Sequence, residues 1–452
     1  MKSLLKKILP AKVFDYYHRA LAHLAAIVYR RPSEKMIVIG VTGTNGKSTT
    51  CNFIAAVLEE AGFKVGLATT VNFRIAGKDR LNDTKMTMLG RFALQRMLAE
   101  MVRAGCRYAI VETSSEGIRQ HRHLGIHYDA AVFTNLTPEH VESHGGFENY
   151  KKAKGELFAK LADDPIKRLP GSDGRGRRDV KKAIVANLAS PHAGYFLDFR
   201  VNKKYGFYLE PADKRGEPQL AVWPLAIVKA LDADMRPAGS TFAVRDTRFS
   251  LAMPGAFNVE NALAAIAIGL SQGIALPVMA NALAKITGVP GRLERIDEGQ
   301  PFTVIVDYAP EPESFRKLYE VVALLPKKRV IHVLGSTGGG RDVSRRPILG
   351  RLAAQNADVV IVTNEDPYDD DPARIIADVA RGAAEHGKIE GQDLFLILDR
   401  GQAIDKAVAL AQPGDLVLIT GKGSEQAMVV AGGRKIPWDD RVKAREALKK
   451  RP

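Results

Sequence analysis

Short apolar runs alternate with amphipathic stretches along most of this chain, beginning at Met36. Helical spacing of apolar residues predicts helices at Lys47–Ala61 and Phe257–Gln272. The buried strands expected in the first half are Ile37–Val41, Ala109–Glu112, Ala130–Thr134 and Ala183–Ala186. Because strands and helices alternate, we predict an α/β protein with a mainly parallel, doubly wound sheet.

The alternation restarts after Gly288–Arg292, which we interpret as a domain boundary. The strands expected beyond it are Thr303–Val306, Arg329–Leu334, Val359–Thr363, Leu394–Leu398 and Leu416–Thr420. The expected helices are Glu313–Leu324, Pro372–His386 and Gln402–Ala411. The pattern predicts a central domain at 36–292 and a Rossmann-like α/β domain at 293–452.

The first 35 residues predict a basic amphipathic helix that is broken at Pro10 and stops near Pro32. Its apolar side chains recur at helical spacing and are Val13, Phe14, Tyr17, Leu21, Leu24, Ala25 and Val28. Eight lysines and arginines accompany only Asp15 and Glu34. Two interpretations stay open: the apolar stripe packs on the core, or residues 1–30 hold a pyrophosphate-bearing substrate or contact a membrane surface.

The composition is that of a globular protein with two or three domains, since 46% of the 452 residues are hydrophobic and 26% are charged. Cys51 and Cys106 are the only cysteines and form no metal-binding pair, which favours the reducing cytoplasm. No signal peptide and no bilayer-spanning run is evident. The net charge of +15 fits a polyanionic small substrate, and no basic groove with interleaved aromatic residues indicates nucleic acid.

An expected strand and an expected helix flank the run Gly43-Thr44-Asn45-Gly46-Lys47-Ser48-Thr49. A glycine-containing turn that opens a helix presents backbone N–H groups and the positive end of the helix dipole to phosphates. Lys47 would reach the β- and γ-phosphates, and Ser48 would place its hydroxyl on Mg²⁺. The spacing departs from the usual phosphate loop, because Val41 stands where the first glycine is expected.

Three further candidates carry less information on their own. Glu112 ends an expected strand near the phosphate loop, where a carboxylate holds Mg²⁺ or is an ordinary loop residue. His140, Glu142 and His144 suggest zinc but lack a third strong ligand, and Mg²⁺ prefers oxygen, so a polar loop is equally open. Lys154, on an amphipathic helix, is by itself a solvated lysine.

Taken in order, the motifs resemble the Mur ligase family, and most closely its MurE branch, over about residues 36–441. The matching runs are Gly43–Thr49, Glu112–Ser115, Gln120–Arg122, Phe133–Thr137 with His140, His144-Gly145, Tyr150–Lys154, Gly255–Asn261, Gly291-Arg292, Asp307–Ala309, Arg341-Asp342 with Arg346-Pro347, and Gly421–Gly423 with Glu425. The resemblance implies an ATP- and Mg²⁺-dependent amide ligase of peptidoglycan precursor synthesis. Such an enzyme adds lysine or diaminopimelate to a UDP-N-acetylmuramoyl-L-Ala-D-Glu-type acceptor through an acyl phosphate. We expect a monomer that acts on small molecules.

The resemblance also implies a role for each candidate residue. The catalytic residues are Lys47, Glu112, His140 and Lys154, and the metal ligands are Ser48, Glu112, His140 and Lys154, the lysine as its carbamate. The nucleotide side consists of Gly43–Thr49 with Asn258, Asn261, Arg292, Asp307 and Tyr308. The acceptor residues are Ser114, Gln120 and Arg122, and the residues for the incoming amino acid are Glu365, Asp366, Gly421 and Glu425.

Three departures from the family pattern bear on the substrates. Only about 40 residues precede the phosphate loop, too few for the family's N-terminal UDP-binding domain. Tyr368 replaces the arginine that pairs with the distal carboxylate of diaminopimelate, and the acidic residues from Glu365 to Asp371 would attract an ammonium group, which favours lysine. Alternatively, these acids cap a helix that starts at Pro372. Pro310 and Ser424 replace family histidines.

Two alternative functions follow from these departures. A folylpolyglutamate synthetase-like glutamate ligase shares the short start, but Ser114-Ser115 with Gln120 and Arg122 argues against it. A non-catalytic nucleotide-binding partner protein would explain Pro310 and Ser424. Such a protein has no need for a lysine at the carbamate position.

Overall fold

The computed structural model describes residues 11–138, 141–171, 176–210 and 225–451. The described chain begins with helix α1 (Ala11–Val28), and a short 3-10 turn at Pro32–Lys35 leads into the first strand. Pro32 begins that turn, where its missing N–H leaves no hydrogen bond unmade. Within these ranges, no helix is both long and apolar enough to cross a membrane.

The first half is built on one large mixed sheet and one small hairpin. Its strands are β1 (Ile37–Thr42), β2 (Val65–Ala68), β3 (Asn72–Ile75), β4 (Lys78–Leu81), β5 (Tyr108–Glu112), β6 (Ala130–Phe133), β7 (Arg168–Pro170), β8 (Arg177–Asp179), β9 (Ala183–Asn187), β10 (Lys203–Leu209), β11 (Ala226–Arg236), β12 (Gly239–Val244) and β13 (Thr247–Leu251). The eleven-stranded sheet has the order β13-β12-β11-β10-β9-β6-β1-β5-β2-β3-β4. The strands from β2 to β11 in this order are parallel, and antiparallel hairpins extend both edges.

Helices cover both faces of this sheet. They are α2 (Lys47–Glu60), α3 (Arg91–Arg103), α4 (Ser115–Arg119), α5 (Val141–His144), α6 (Phe147–Asp163), α7 (Ala193–Leu197), α8 (Ala256–Ser271) and α9 (Leu276–Ala284). Ile37, Ile39 and Val41 of β1 pack into the core that α2 and α8 share, whereas Val38 packs into the opposite core with α3 and α6. This alternation is the two-residue period of a strand buried on both faces.

The second half contains a six-stranded sheet of its own. Its strands are β14 (Glu294–Ile296), β15 (Thr303–Asp307), β16 (Val330–Leu334), β17 (Val359–Thr363), β18 (Leu394–Ile397) and β19 (Leu416–Thr420), followed by a hairpin of β20 (Ala427–Val430) and β21 (Arg434–Pro437). The helices are α10 (Pro312–Leu324), α11 (Arg345–Asn356), α12 (Pro372–Ala384), α13 (Arg400–Leu410) and α14 (Asp440–Lys450). The order is β14-β15-β19-β16-β17-β18, parallel except at β14.

Every strand and helix predicted after residue 36 is present, with bounds that differ by a few residues at most. The pattern missed the parallel strand β2, the strands β3–β4 and β10–β13 towards the two sheet edges, and the helices α3, α9, α11 and α14. Strand β11 shows the reason, because most of its residues are exposed or half-buried and it carries Lys229, Asp232, Asp234 and Arg236. A strand that faces solvent at the sheet edge lacks the continuous apolar run of a central strand.

Candidate active site

The phosphate loop connects the end of β1 to the first residue of α2, as expected. Gly46 has φ of 81°, and a Cβ atom at Gly43 would lie 1.9 Å from Thr134 Oγ1, so both positions need glycine. Thr134 Oγ1 donates to Asn45 O at 2.7 Å, and Asn45 N donates to Asn135 Oδ1 at 2.9 Å. The residues that follow β6 therefore hold the loop in shape at the N-terminus of α2, where phosphates bind.

Two cations lie against the carbonyl groups of this loop. Lys47 Nζ donates to Thr44 O at 2.7 Å. Lys154 Nζ, buried on α6, donates to Gly43 O at 2.8 Å and lies 4.4 Å from the centre of the Tyr150 ring. Lys154 is therefore no solvated helix lysine, because its ammonium group lies beneath the phosphate loop.

The Glu112 carboxylate at the end of β5 is buried beside Ser48 of α2. Ser48 Oγ donates to Glu112 Oε2 at 2.7 Å. Thr70 N donates to the same oxygen at 2.8 Å, and Thr70 Oγ1 donates to Oε1 at 2.9 Å. A hydroxyl and a carboxylate are hard oxygen donors of the kind that Mg²⁺ takes, so the pair fits that ion. Nothing in the sequence pointed to Thr70, which orients the carboxylate.

His140, the other expected metal ligand, lies outside the described residues. Glu142 and His144 belong to α5, and no three His, Cys, Asp or Glu side chains converge on a metal position in the described ranges. The oxygen donors at Glu112 and Ser48 therefore remain the features that indicate a cation.

Residues from the second sheet complete the site opposite the phosphate loop. The Arg292 guanidinium stacks over the Tyr308 ring, 4.6 Å from its centre. Asp307, at the end of β15, accepts hydrogen bonds from Leu293 N and Ala309 N at 2.7 and 2.8 Å. Burial raises the pKa of the Asp307 carboxyl, while Arg292 and these N–H groups act in the opposite direction. The carboxylate is thus held by the backbone at the carboxyl edge of the sheet, where α/β proteins bind ligands.

The asparagines of α8 lie on the phosphate-loop side of the cavity. Asn261 Oδ1 accepts from Thr50 Oγ1 at 3.1 Å, and Asn258 Nδ2 donates to Pro254 O at 2.8 Å. Ser314 Oγ of α10 donates to Asn45 Oδ1 at 2.9 Å, which joins the second sheet's helix directly to the phosphate loop.

A cavity of about 410 Å³ lies between these two groups of residues. The expected site residues that line it are Gly43–Thr49, Glu112, Ser114, Lys154, Asn258, Asn261, Arg292, Asp307 and Tyr308. Further charged residues in its wall that the sequence did not single out are Glu260, Glu311, Lys317 and Arg345. Glu311 and Arg345 form a buried ion pair, and Glu311 follows the Pro310 that departs from the family pattern.

Gln120 and Arg122, two of the three expected acceptor residues, do not line this cavity. Arg122 donates to Gln120 Oε1 at 2.5 Å and to the carbonyl of Met88. Ser114, which does line it, caps α4 by accepting from Gly117 N at 3.2 Å. Ser114, Gln120 and Arg122 therefore lie on one segment, which begins at the cavity and runs along α4 away from it.

The acidic residues after β17 also lie outside this cavity, and the expectation that they attract a substrate ammonium group needs correction. Asp366 accepts from Lys422 Nζ with both oxygens at 2.9 Å and also pairs with Lys85. Asp370 pairs with Arg346 at 3.2 Å. Asp371 Oδ1 accepts from Ala373 N at 3.0 Å, so the helix-capping interpretation is confirmed at that position.

Glu365, Gly421 and Glu425 surround the same ion cluster. Glu365 accepts from Thr337 Oγ1 at 2.7 Å, and Glu425 accepts from Lys422 Nζ at 2.7 Å. Gly421 has φ of 111°, and a Cβ there would lie 2.4 Å from Glu365 Oε2. Cations of the chain itself thus pair with Asp366, Asp370 and Glu425, whereas Glu365 and Asp371 accept from a hydroxyl and a backbone N–H.

Two family models match this chain. Residues 41–269 match the Mur ligase middle domain, and residues 291–423 match the glutamate ligase domain of Mur ligases. The UDP-N-acetylmuramyl-tripeptide synthetase of Roseiflexus sp. (strain RS-1) is 40% identical over 438 residues, which cover 95% of this chain and 82% of that protein. The UDP-N-acetylmuramoyl-L-alanyl-D-glutamate--2,6-diaminopimelate ligase of Geobacillus thermodenitrificans (strain NG80-2) is 37% identical over 449 residues, which cover 98% and 85%.

Solved structures give the same result for the fold. A UDP-N-acetylmuramoyl-L-alanyl-D-glutamate--2,6-diaminopimelate ligase superposes with a TM-score of 0.57 at 27% identity, over 96% of this chain and 83% of that one. The folylpolyglutamate synthase of Mycobacterium tuberculosis superposes with a TM-score of 0.63 at 18% identity, over 89% and 92%, which shows a shared fold alone. With both of its domains matched and relatives aligned over most of its length, the chain belongs to the Mur ligase family of ATP-dependent amide ligases, as a MurE-like member.

Proposed function

We propose that this enzyme joins a diamino acid, lysine or diaminopimelate, to a UDP-N-acetylmuramoyl-L-alanyl-D-glutamate-type acceptor. The observation that carries the proposal is the cavity between the phosphate loop and Arg292, Asp307 and Tyr308. Its walls come from the carboxyl ends of two sheets, so a nucleotide held by one sheet faces substrates held by the other. The similarity to the tripeptide synthetase and the diaminopimelate ligase supports the same substrates.

The proposed chemistry activates a carboxylate, which by itself is a poor electrophile. An acceptor carboxylate oxygen attacks the γ-phosphorus of ATP, the bond to the β–γ bridging oxygen breaks, and ADP leaves. The amine nitrogen then attacks the carbonyl carbon of the acyl phosphate. The tetrahedral intermediate expels phosphate as the nitrogen loses a proton, and the amide remains. Lys47 and the N-terminus of α2 stabilise the negative charge on the transferred group.

Ser48 and Glu112 would hold Mg²⁺ in this scheme. The ion, when bound, neutralises charge on the phosphate oxygens. Thr70 keeps the Glu112 carboxylate pointed at Ser48 through two hydrogen bonds. A metal role for His140 rests on the family resemblance.

We also assign Lys154 as a carbamylated lysine. The ammonium group first loses a proton, the neutral Nζ forms an N–C bond to CO₂, and the resulting carbamic acid loses a second proton, so a positive side chain becomes a negative one. The remaining N–H can keep the 2.8 Å hydrogen bond that Nζ makes to Gly43 O. A carbamate in this buried position adds an oxygen donor beside the phosphate loop, where an ammonium group would compete with Mg²⁺.

Between the two diamino acids, Tyr368 favours lysine. A phenol cannot form the paired, charge-assisted hydrogen bonds with which an arginine binds a distal carboxylate. The Tyr368 ring packs against Gly339, since a Cβ atom at this glycine would lie 2.7 Å from the ring. The side chain therefore has a defined position beside the residues assigned to the incoming amino acid. Because Asp366 and Asp370 already pair with cations of the chain, the preference for lysine rests chiefly on Tyr368.

The test measures ADP release with lysine, ornithine, meso-diaminopimelate and glutamate, each with a UDP-linked muramoyl dipeptide and with its lipid-linked counterpart. We expect ADP release only when acceptor and diamino acid are both present, and mass spectrometry should find the tripeptide. ADP release with a folate and glutamate would instead show the folylpolyglutamate activity. Absence of turnover with every muramoyl acceptor, in a protein that binds ATP, would refute the proposal.

A further inference from the structure

Helix α1 carries its large apolar side chains on its solvent-facing side. Val13, Tyr16, Tyr17, Leu24, Ile27 and Val28 expose 43%, 73%, 54%, 49%, 55% and 57% of their surface. The residues that α1 buries against the protein are small, namely Ala22, Ala25 and Ala26. This arrangement is the reverse of the usual surface helix, which turns its apolar face to the core. The interpretation that the whole apolar stripe packs on the core is therefore wrong.

The exposed residues form one continuous face. Their spacing of three, four and seven places them, at 3.6 residues per turn, within an arc of roughly 120° on the side opposite the buried alanines. We call these six residues the outer face of α1. An apolar patch of this kind on a protein surface marks a contact with a partner or a membrane.

Contacts with the rest of the protein hold the outer face in this orientation. Asp15 pairs with His121 next to α4. The backbone of Ala22 passes so close to Gly125 that a Cβ atom on this glycine would lie 2.7 Å from Ala22 O. Small residues at this contact allow the helix to lie close to the protein, which leaves the larger side chains outside.

The sequence of the segment that carries this face is predominantly positive. Residues 1–35 contain eight lysines and arginines and two acids. Both acids are engaged, since Asp15 pairs with Arg19 at 2.8 Å and with His121, and Glu34 pairs with Arg31 at 3.3 Å. Arg19, in the middle of α1, and Arg30, just beyond its C-terminal end, are both exposed. A second copy of the same helix would bring like charges together, whereas an anionic lipid surface complements them.

We propose that the outer face of α1 docks on an anionic membrane surface. The apolar side chains enter the boundary between headgroups and acyl chains, where Tyr16 and Tyr17 place their rings with the hydroxyls towards water. The flanking arginines contact lipid phosphates. This docking depends on α1 alone and stands whether or not the proposed acceptor is correct.

Docking would also bring one end of the proposed site to the membrane. His121, which contacts Asp15 of α1, lies between Gln120 and Arg122, the residues assigned to the acceptor. The segment that leads away from the cavity along α4 therefore ends directly beneath the helix.

The experiment is cosedimentation of the full chain with vesicles of phosphatidylcholine containing 30% phosphatidylglycerol, and with vesicles of phosphatidylcholine alone. We expect binding to the anionic vesicles that weakens as salt is raised. The variant Tyr16→Ser/Leu24→Ser/Ile27→Ser should lower the partition coefficient at least about tenfold, because three exposed apolar side chains no longer enter the lipid.

A matched control is Ile389→Ser/Leu398→Ser/Val442→Ser, which removes three equally exposed apolar side chains from the second half of the chain. It should bind vesicles as the parent does. Circular dichroism and the parent's ADP-release rate show that both variants are folded. Unchanged vesicle binding in the α1 variant, or equal binding to both vesicle types, would overturn the proposal. The proposal would also be overturned if the parent were a dimer, the α1 variant were a monomer and neither bound vesicles.

Discussion

At the scale of single residues, the role of Lys154 depends on its surroundings in the fold. On its helix it is one of several lysines, but its Nζ is buried and donates to the carbonyl of Gly43 in the phosphate loop. Only the neutral amine of a lysine adds CO₂, so the carbamate forms after Nζ has lost its proton.

Replacing Lys154 tests the carbamate directly. Lys154→Ala should lower the rate of amide formation at least about a thousandfold, as expected when a group that stabilises the transferred phosphate is removed. Added formate or acetate should restore part of the rate by supplying the missing carboxylate.

The control is Lys151→Ala, one helical turn away on α6, where Lys151 pairs with the exposed Glu148 at 2.7 Å and lies 5.5 Å from the centre of the Tyr195 ring. It should keep the parent's rate. A ¹³C carbamate resonance after addition of labelled bicarbonate should be present in the parent and absent from Lys154→Ala. Full activity of Lys154→Ala would contradict the assignment.

Tyr368 provides the residue-scale test of amino-acid choice. Tyr368→Arg restores a guanidinium that can pair with a distal carboxylate, so kcat/KM for diaminopimelate should rise at least about tenfold relative to lysine. Tyr368→Phe removes only the hydroxyl and should leave the ratio near that of the parent. An unchanged ratio in Tyr368→Arg would show that this side chain does not read the amino acid.

At the scale of elements, side-chain contacts join the two halves of the chain. The segment between β4 and α3 carries Lys85, which lies between Asp366 and Glu425 of the second half, with Nζ 3.1 Å from Glu425 Oε2. Lys422 balances the same two carboxylates from within the second half. Burial lowers the pKa of Lys85, although the neighbouring carboxylates act to raise it.

Removing Lys85 should loosen this contact. In Lys85→Met the buried Asp366 and Glu425 retain one cation between them, and an unpaired buried charge costs about 3–5 kcal/mol unless the halves separate. We therefore expect faster hydrogen exchange around residues 422–429 and a raised KM for ATP. The matched control is Lys435→Met, whose exposed Nζ donates across the same boundary to Thr84 O at 2.8 Å and should have little effect. Equal rates of hydrogen exchange in both variants would contradict the idea that Lys85 holds the two halves together.

At the scale of the whole molecule, the carboxyl ends of two sheets meet at one cavity. The phosphate loop supplies one wall, and Arg292 with Tyr308 supplies the other. Only one described side-chain hydrogen bond, from Ser314 to Asn45, joins α10 to the loop itself, so a bound nucleotide adds most of the contacts there.

A non-hydrolysable ATP analogue should consequently stabilise both halves together. At 100 times its Kd the ligand adds about 2.7 kcal/mol to the free energy of unfolding. Hydrogen exchange should slow in α2 and also around Asp307 and Tyr308. Arg292→Ala should confine the slowing to the first half, since it removes the cation stacked on Tyr308. Protection limited to α2 in the parent would show that the second half does not contact the nucleotide.

The sequence predicted most of the central strands and several of the helices between them because buried apolar runs and glycine turns are local signals; it missed β2, α3 and α11. It identified the phosphate loop for the same reason: Gly43–Thr49 are consecutive, and strand, turn and helix follow one another. The sheet edges at β10–β13 escaped prediction because their half-exposed residues mix polar and apolar types.

Several pairings between distant residues had no signal in the sequence. Lys85 and Asp366 are 281 positions apart, and nothing in either neighbourhood specifies the other. The contact between Thr70 and Glu112 likewise arises only from the packing of two parallel strands.

The sequence by itself thus determined the fold class and the family, and it predicted the loop that we propose for phosphate, because each depends on residues that are consecutive or in fixed order. Only the tertiary structure decided which acids of the Glu365–Asp371 run are neutralised, and which face of α1 is exposed. An apolar stripe indicates that a helix is amphipathic, but the small alanines that allow close packing decide which side lies against the protein. The apolar face of α1 is therefore left at the surface.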